Sequence, residues 1–272
     1  MLEVIDKGSC SQDHPVPLLF VHGGWHGAWC WDDHFLDYFA DAGYRAVSMS
    51  LRGHGASPTP KPLHKVSIAD YLDDVRSVAD ELGGGPVRHP VLIGHSLGGF
   101  VIQRYLEQHS APAAVLVGSV PPQGVLTLAL RVWRRRPSMT MEAWTDRTLL
   151  KFLATPALTR EYLFCADTPE AIVESCMQRA GAESTRAAMA DPMLRRVRTR
   201  RVRTPILVLG ARYDGFVSVD EVRATARAYA TEPEFFSMGH NMMLEPGWAD
   251  VAERINVWLQ SRDLASPSQL SG

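Results

Sequence analysis

The stretch Pro90-Val91-Leu92-Ile93-Gly94-His95-Ser96-Leu97-Gly98-Gly99-Phe100-Val101-Ile102 passes from a short aliphatic run, through Gly-His-Ser-Leu-Gly, directly into a helix-competent segment reaching Gln108. Strand, sharp turn and helix follow with no residue to spare. In such a turn the serine is held in a strained backbone conformation at the strand's C-terminal end. The glycines two before and two after it leave room where strand and helix pass closely. Ser96 is therefore expected to project outward at a helix N-terminus, where developing negative charge is favoured. The same pattern also arises in inert loops, so its meaning rests on partners elsewhere in the chain.

On the N-terminal side, Leu2 to Ile5 reads as a short first strand. The continuous apolar run Pro17-Leu18-Leu19-Phe20-Val21 reads as a buried parallel strand opening into His22-Gly23-Gly24-Trp25-His26-Gly27-Ala28-Trp29. Phe35, Leu36 and Phe39 mark one face of a helix that stops at Gly43. Arg45 to Ser50 gives the next strand, followed by the turn-rich Leu51 to Pro58. Ser67 is an N-cap for a helix carrying Ile68, Tyr71, Leu72, Val75, Val78 and Leu82 at helical spacing, closing at Gly83-Gly84-Gly85-Pro86.

Beyond the opening stretch, Ala113 to Gly118 is one more buried strand. The pattern then breaks at Pro121-Pro122. From residue 121 to 200 the composition is helical, with Trp133, Trp144, Phe152 and several methionines, and contains no buried-strand run. The sheet resumes at Pro205 to Ala211. A helix through Val219, Val222, Ala226 and Tyr229, a strand from Glu234 to Ser237 and a helix from Trp248 to Leu259 complete the chain. Residues 266–272 are expected to fray. Strands alternating with amphipathic helices imply an α/β protein with a mostly parallel, doubly wound sheet. Residues 1–120 and 201–265 would form its core, and residues 121–200 an inserted helical cap.

Composition excludes several classes. The chain has 272 residues, 46% hydrophobic and 21% charged, with a formal net charge of −2. That balance speaks against general nucleic-acid binding and leaves small molecules as the expected partners. The start of the chain lacks a basic segment followed by an apolar one, and no stretch is apolar for long enough to span a bilayer, so a cytoplasmic location is expected. Cys10, Cys30, Cys165 and Cys176 are widely spaced, as buried free thiols would be.

Three reactive side chains each follow an apolar strand: Ser96, Asp214 and His240. Ligand sites in open α/β sheets lie at the carboxyl ends of strands, so these residues can converge from distant positions. A serine hydroxyl is a poor nucleophile at neutral pH. A histidine must take its proton, and a carboxylate must fix the imidazole's tautomer. Asp220 is a rival acid, but it falls at a helix start, where its charge has an ordinary explanation. The backbone N–H groups of Gly24 and Leu97 are the expected oxyanion donors. His22 is read as a brace for the glycine loop, His54 and His95 as packing residues, and the arginines between Arg195 and Arg203 as a solvated edge.

Together His22-Gly23-Gly24, Arg52-Gly53-His54-Gly55-Ala56-Ser57, Gly94-His95-Ser96-Leu97-Gly98-Gly99, Asp214 and Gly239-His240 resemble the α/β-hydrolase superfamily, in its Ser, Asp, His order. The resemblance implies a Ser96–His240–Asp214 triad, hydrolysis through an acyl-enzyme, and no metal or organic cofactor. His22 to Trp31 and His240 to Pro246 are similar to segments of the plant methylesterase and hydroxynitrile-lyase branch. The lyases carry a lysine beside the catalytic histidine; Asn241 stands here, which favours an ester hydrolase. The Met and Trp content of residues 121–200 suggests an apolar pocket roof. Trp25, His26, Trp133 and Trp144 are expected to contact a hydrophobic ester of small to medium size. The same triad also supports C–C bond hydrolysis, cofactor-free perhydrolysis, lyase chemistry, or a ligand sensor with slow turnover.

Overall fold

The computed structural model describes residues 1–83, 89–262 and 264; the Trp144 side chain lies outside that description, as does the 266–272 tail. Seven strands form one sheet: β1 (Val4–Lys7), β2 (Leu18–Val21), β3 (Ala46–Met49), β4 (Val91–His95), β5 (Ala114–Val117), β6 (Ile206–Ala211) and β7 (Pro233–Phe236). Their spatial order is β1-β3-β2-β4-β5-β6-β7. β1 pairs antiparallel with β3, and every other pairing is parallel.

Every residue of β2, β3, β4, β5 and β6 is buried. A strand covered on both faces has no solvent side for polar residues, which explains the continuous apolar runs. The two edges differ: β1 alternates exposed and half-buried residues, and β7 is half-buried throughout. Before the serine come α1 (Trp29–Asp32), α2 (Phe35–Asp41) and α3 (Ile68–Gly83). The Phe20 ring on β2 packs against Trp31, Phe35 and Phe39 at centroid distances of 5.1, 6.3 and 5.6 Å. Truncating such a ring to alanine costs about 3–5 kcal/mol. Ser67 caps α3 as expected: its hydroxyl accepts from Asp70 N at 3.3 Å, while Asp70 Oδ2 accepts from Ser67 N at 2.8 Å.

The helix after β4, α4, runs from Ser96 to Tyr105. It begins at the serine itself, because the turn contains no loop, and ends three residues before the Gln108 expected. Between β5 and β6 lie α5 (Leu126–Arg135), α6 (Pro137–Asp146), α7 (Pro156–Leu163), α8 (Glu170–Arg179) and α9 (Asp191–Leu194), with no strand among the described residues of that segment. α10 (Val219–Ala228), started by a complete Ser218–Glu221 capping box, and α11 (Trp248–Gln260) finish the fold.

Candidate active site

Ser96 has φ +50°, a left-handed conformation that L side chains rarely adopt. The elbow around it is close-packed. A Cβ on Gly94 would come within 2.8 Å of Gly99 Cα, and one on Gly98 within 2.3 Å of the His22 carbonyl oxygen. No larger residue fits at either place, so the two glycines let the strained turn sit against β2.

His240 Nε2 lies 2.9 Å from Ser96 Oγ, and His240 Nδ1 lies 2.7 Å from Asp214 Oδ2. Asp214 Oδ1 accepts from the backbone N–H groups of Phe216 and Val217 at 2.7 and 2.8 Å. One carboxylate oxygen is thus fixed by its own loop while the other faces the imidazole, which therefore carries its proton on Nδ1 and leaves Nε2 free to accept from the serine. Asp220 instead sits 90% exposed beside Arg223. The His240 backbone is held as well. His95 Nε2 donates to the His240 carbonyl oxygen at 2.9 Å, and burial pushes the His95 imidazole well below its ordinary pKa, so it is the neutral donor this contact needs.

The glycine loop is braced by two histidines. Leu51 N donates to His22 Nε2 at 3.0 Å, so the His22 proton is on Nδ1, which donates to the Gly23 carbonyl oxygen at 2.7 Å. Holding that carbonyl fixes the Gly23–Gly24 peptide plane, whose other side is the Gly24 N–H. Asn241 Nδ2 donates to His26 Nε2 at 3.1 Å, and His26 Nδ1 donates to the Gly24 carbonyl oxygen at 2.6 Å. Burial pulls the His26 pKa down to about 4, which keeps the ring neutral and capable of both roles. Gly24 and Leu97 both border the pocket above Ser96. The Leu97 N–H lies in the first turn of α4, where amides have no intrahelical acceptor.

That pocket is a narrow cavity of about 80 Å³, well below the roughly 300–1,000 Å³ of drug-sized ligand sites. Trp25, Phe152 and Phe216 form an aromatic wall, with Trp25 stacked on Phe216 at 5.4 Å. Val125, Leu128, Ala129 and Val132, from the start and inner side of α5, line it too. Trp25 is where the sequence predicts it. His26 does not line the pocket: it is buried behind the glycine loop by its bonds to Gly24 and Asn241. Trp133 does not line it either, because the next residue of the helix is turned by roughly 100° from Val132 and Trp133 is 50% exposed. Asn241 is likewise fully buried and outside the pocket lining.

One residue with no sequence motif, Glu183, also borders the pocket. Its carboxylate accepts from Tyr71 OH at 2.8 Å, Ser184 N at 2.6 Å and His54 Nε2 at 3.1 Å. Burial disfavours the charged form of His54, but the Glu183 charge and hydrogen bond outweigh it and raise the imidazole's pKa. A second buried carboxylate, Glu245, accepts from Gly239 N, Cys165 N and Thr168 Oγ1 at 3.0, 2.7 and 2.8 Å, tying the residue before His240 to the loop after α7. An isolated buried glutamate has no periodicity, so only the partners reveal it.

The family model described as the alpha/beta hydrolase family matches residues 18–254, and the chain belongs to that family. Relatives include a non-heme haloperoxidase from Rhodococcus erythropolis, 36% identical over 114 residues, 41% of this chain and 39% of that protein. The probable esterase PIR7A of Oryza sativa subsp. indica is 30% identical over 184 residues, 61% of this chain and 66% of that protein. The chain thus spans about two fifths of the haloperoxidase and just under two thirds of the esterase. Among solved structures, a thermophilic esterase from Thermogutta terrifontis superposes with a TM-score of 0.69 at 22% identity, covering 96% of this chain and 93% of that one. The esterase EaEST from Exiguobacterium antarcticum gives 0.73 at 17% identity, covering 95% of each chain.

Proposed function

We propose that this chain is a serine hydrolase that cleaves carboxylic esters of small to medium hydrophobic molecules through an acyl-enzyme. The observation that carries the reading is the hydrogen-bonded line Ser96 Oγ, His240 Nε2, His240 Nδ1, Asp214 Oδ2 at the floor of an apolar pocket. Ser96 Oγ attacks the ester carbonyl as its proton passes to His240 Nε2. The oxyanion is held by the Gly24 and Leu97 N–H groups. The C–O bond to the alcohol then breaks, and the leaving oxygen takes the proton from His240. Water deprotonated by His240 attacks the acyl-Ser96 ester, and the acid departs as the proton returns to Ser96. Asp214 orients the imidazole and stabilises its charged form. Residues 121–200 act as the cap that forms the pocket's roof.

The names of the relatives, esterase and methylesterase among them, agree with this reading. The similarity to proteins named haloperoxidase and chloroperoxidase favours one further reading, perhydrolysis, in which hydrogen peroxide replaces water at the acyl-enzyme and a peracid leaves. Asn241 weighs against lyase chemistry, since its side chain is spent on His26 and offers no cation to the pocket.

Labelling with a fluorophosphonate, followed by p-nitrophenyl acetate and butyrate assays of wild type and Ser96→Ala, tests the proposal. Wild type should add one label and turn over both esters. Equal turnover by Ser96→Ala would overturn the mechanism, and tight binding of a ligand with a single turnover would point to a sensor.

A further inference from the structure

α5 carries apolar residues on two sides, with Thr127, Arg131 and Arg134 along the flank between them. Its orientation is fixed from the flank: Arg131 pairs with Glu221 at 2.8 Å, and Thr127 donates to the same carboxylate at 2.6 Å. So pinned, the helix turns Leu128, Ala129 and Val132 over the pocket. Leu126, Leu130 and Trp133 recur at i, i+4 and i+7 on another side and are 63%, 42% and 50% exposed. Met141 on the adjoining α6 is 64% exposed. Solitary surface hydrophobes are ordinary, but an aligned stripe marks a contact surface.

The surrounding charge is basic. Residues 126–147 contain five arginines against two carboxylates, Glu142 and Asp146. Arg131 and Arg136 pair with Glu221 and Glu161, and Glu142 faces Lys151. Arg134 and Arg135, exposed in the last turn of α5, form no ion pair among the described residues. We propose that this face of α5 and α6 docks on an anionic lipid surface, with Leu126, Leu130, Trp133 and Met141 entering the headgroup boundary and Arg134 and Arg135 meeting the lipid phosphates. An apolar stripe flanked by arginines, with a tryptophan at its edge, is the chemistry such an interface selects. A second copy of this chain fits less well. A two-fold contact between identical faces sets this segment, with five arginines against two carboxylates, against a second copy of itself.

The surface and the pocket share one helix, so a hydrophobic substrate dissolved in the lipid would meet the outer side of the roof whose inner side it must reach. The docking itself does not depend on the proposed reaction. Co-sedimentation of the full chain with phosphatidylcholine vesicles, with and without phosphatidylglycerol, tests it. Wild type should pellet with the anionic vesicles and be released by high salt. Arg134→Gln with Arg135→Gln should lower the partition coefficient by roughly 25-fold, about fivefold per arginine. Leu130→Ser with Trp133→Ser should lower it by at least tenfold. Both double variants should keep the wild-type thermal midpoint to within a few degrees, an internal control for folding that requires no catalysis. Failure of wild type to bind anionic vesicles, equal binding by folded variants, or a concentration-dependent dimer abolished by Leu130→Ser with Trp133→Ser would overturn the proposal.

Discussion

Asn241 and His26, 215 positions apart in sequence, are joined by a 3.1 Å hydrogen bond that continues from His26 to the Gly24 carbonyl oxygen. The residue beside His240 therefore sets the orientation of the glycine loop. Asn241→Leu should leave the fold intact and lower kcat toward p-nitrophenyl butyrate by about tenfold with little change in KM. That is short of the 10²–10³-fold for losing an oxyanion donor outright. Steady-state kinetics on the purified variant check it, and an unchanged kcat would detach Asn241 from the loop's geometry.

Asp214→Asn should lower kcat by roughly 10⁴-fold, because an amide that donates to His240 stabilises the wrong tautomer. Asp220→Asn, at an exposed helix start, should stay within twofold of wild type. The reverse ranking would reassign the acid.

Acid should destabilise the protein through its neutral buried histidines. The His26 pKa is about 4 in the folded chain, and those of His22 and His95 lie well below the ordinary value, in each case chiefly through burial. A depressed folded pKa contributes stability that is present above the unfolded value of about 6.5 and lost as pH falls below it. For His26 alone the loss approaches about 3 kcal/mol by pH 4, at 1.36 kcal/mol per unit. Urea denaturation from pH 8 to pH 4 should show this slope, and it should be shallower in His26→Gln.

His54 acts with the opposite sign. Its folded pKa is raised by Glu183, so its contribution is complete below about pH 6.5 and disappears as pH rises through the folded value. The stability difference between wild type and His54→Asn should therefore shrink toward alkaline pH. A difference that grows with pH would mean that His54 is neutral in the fold.

Leu128→Trp should narrow the pocket from α5. The kcat/KM for p-nitrophenyl hexanoate should fall by tenfold or more while that for acetate changes little, since each methylene denied burial forfeits about 0.8 kcal/mol. Equal losses on both esters would place the acyl chain elsewhere.

The sheet is legible in the sequence because each central strand is covered on both faces and so reads as an unbroken apolar run. Ser96, Asp214 and His240 are legible for a related reason: each lies within four residues of the carboxyl end of a strand, β4, β6 or the half-buried edge strand β7, and parallel pairing brings those ends to one edge. The pocket wall is not. Trp133 and Val132 are neighbours in sequence, yet one faces solvent and the other the pocket, a difference set by the Arg131–Glu221 pin. His26 looks like a pocket residue from its loop but turns behind it, because Asn241 and the Gly24 carbonyl satisfy both ring nitrogens. Phe216, two residues past Asp214, was within reach of sequence reasoning. Glu183 and Glu245 were not, since their partners come from distant segments.

The Glu245 carboxylate also divides the segment between β5 and β6 into two regimes of evolvability. It binds Cys165 and Thr168, in the loop after α7, together with Gly239, so drift around residues 163–168 would be transmitted to the histidine loop and selected against. α5 borders the pocket and is pinned through Arg131 and Thr127 to Glu221 and through Arg131 to the Phe216 carbonyl oxygen, contacts that its inner residues do not make. Its inner residues are the positions where new substrate preferences can accumulate without disturbing the chemistry.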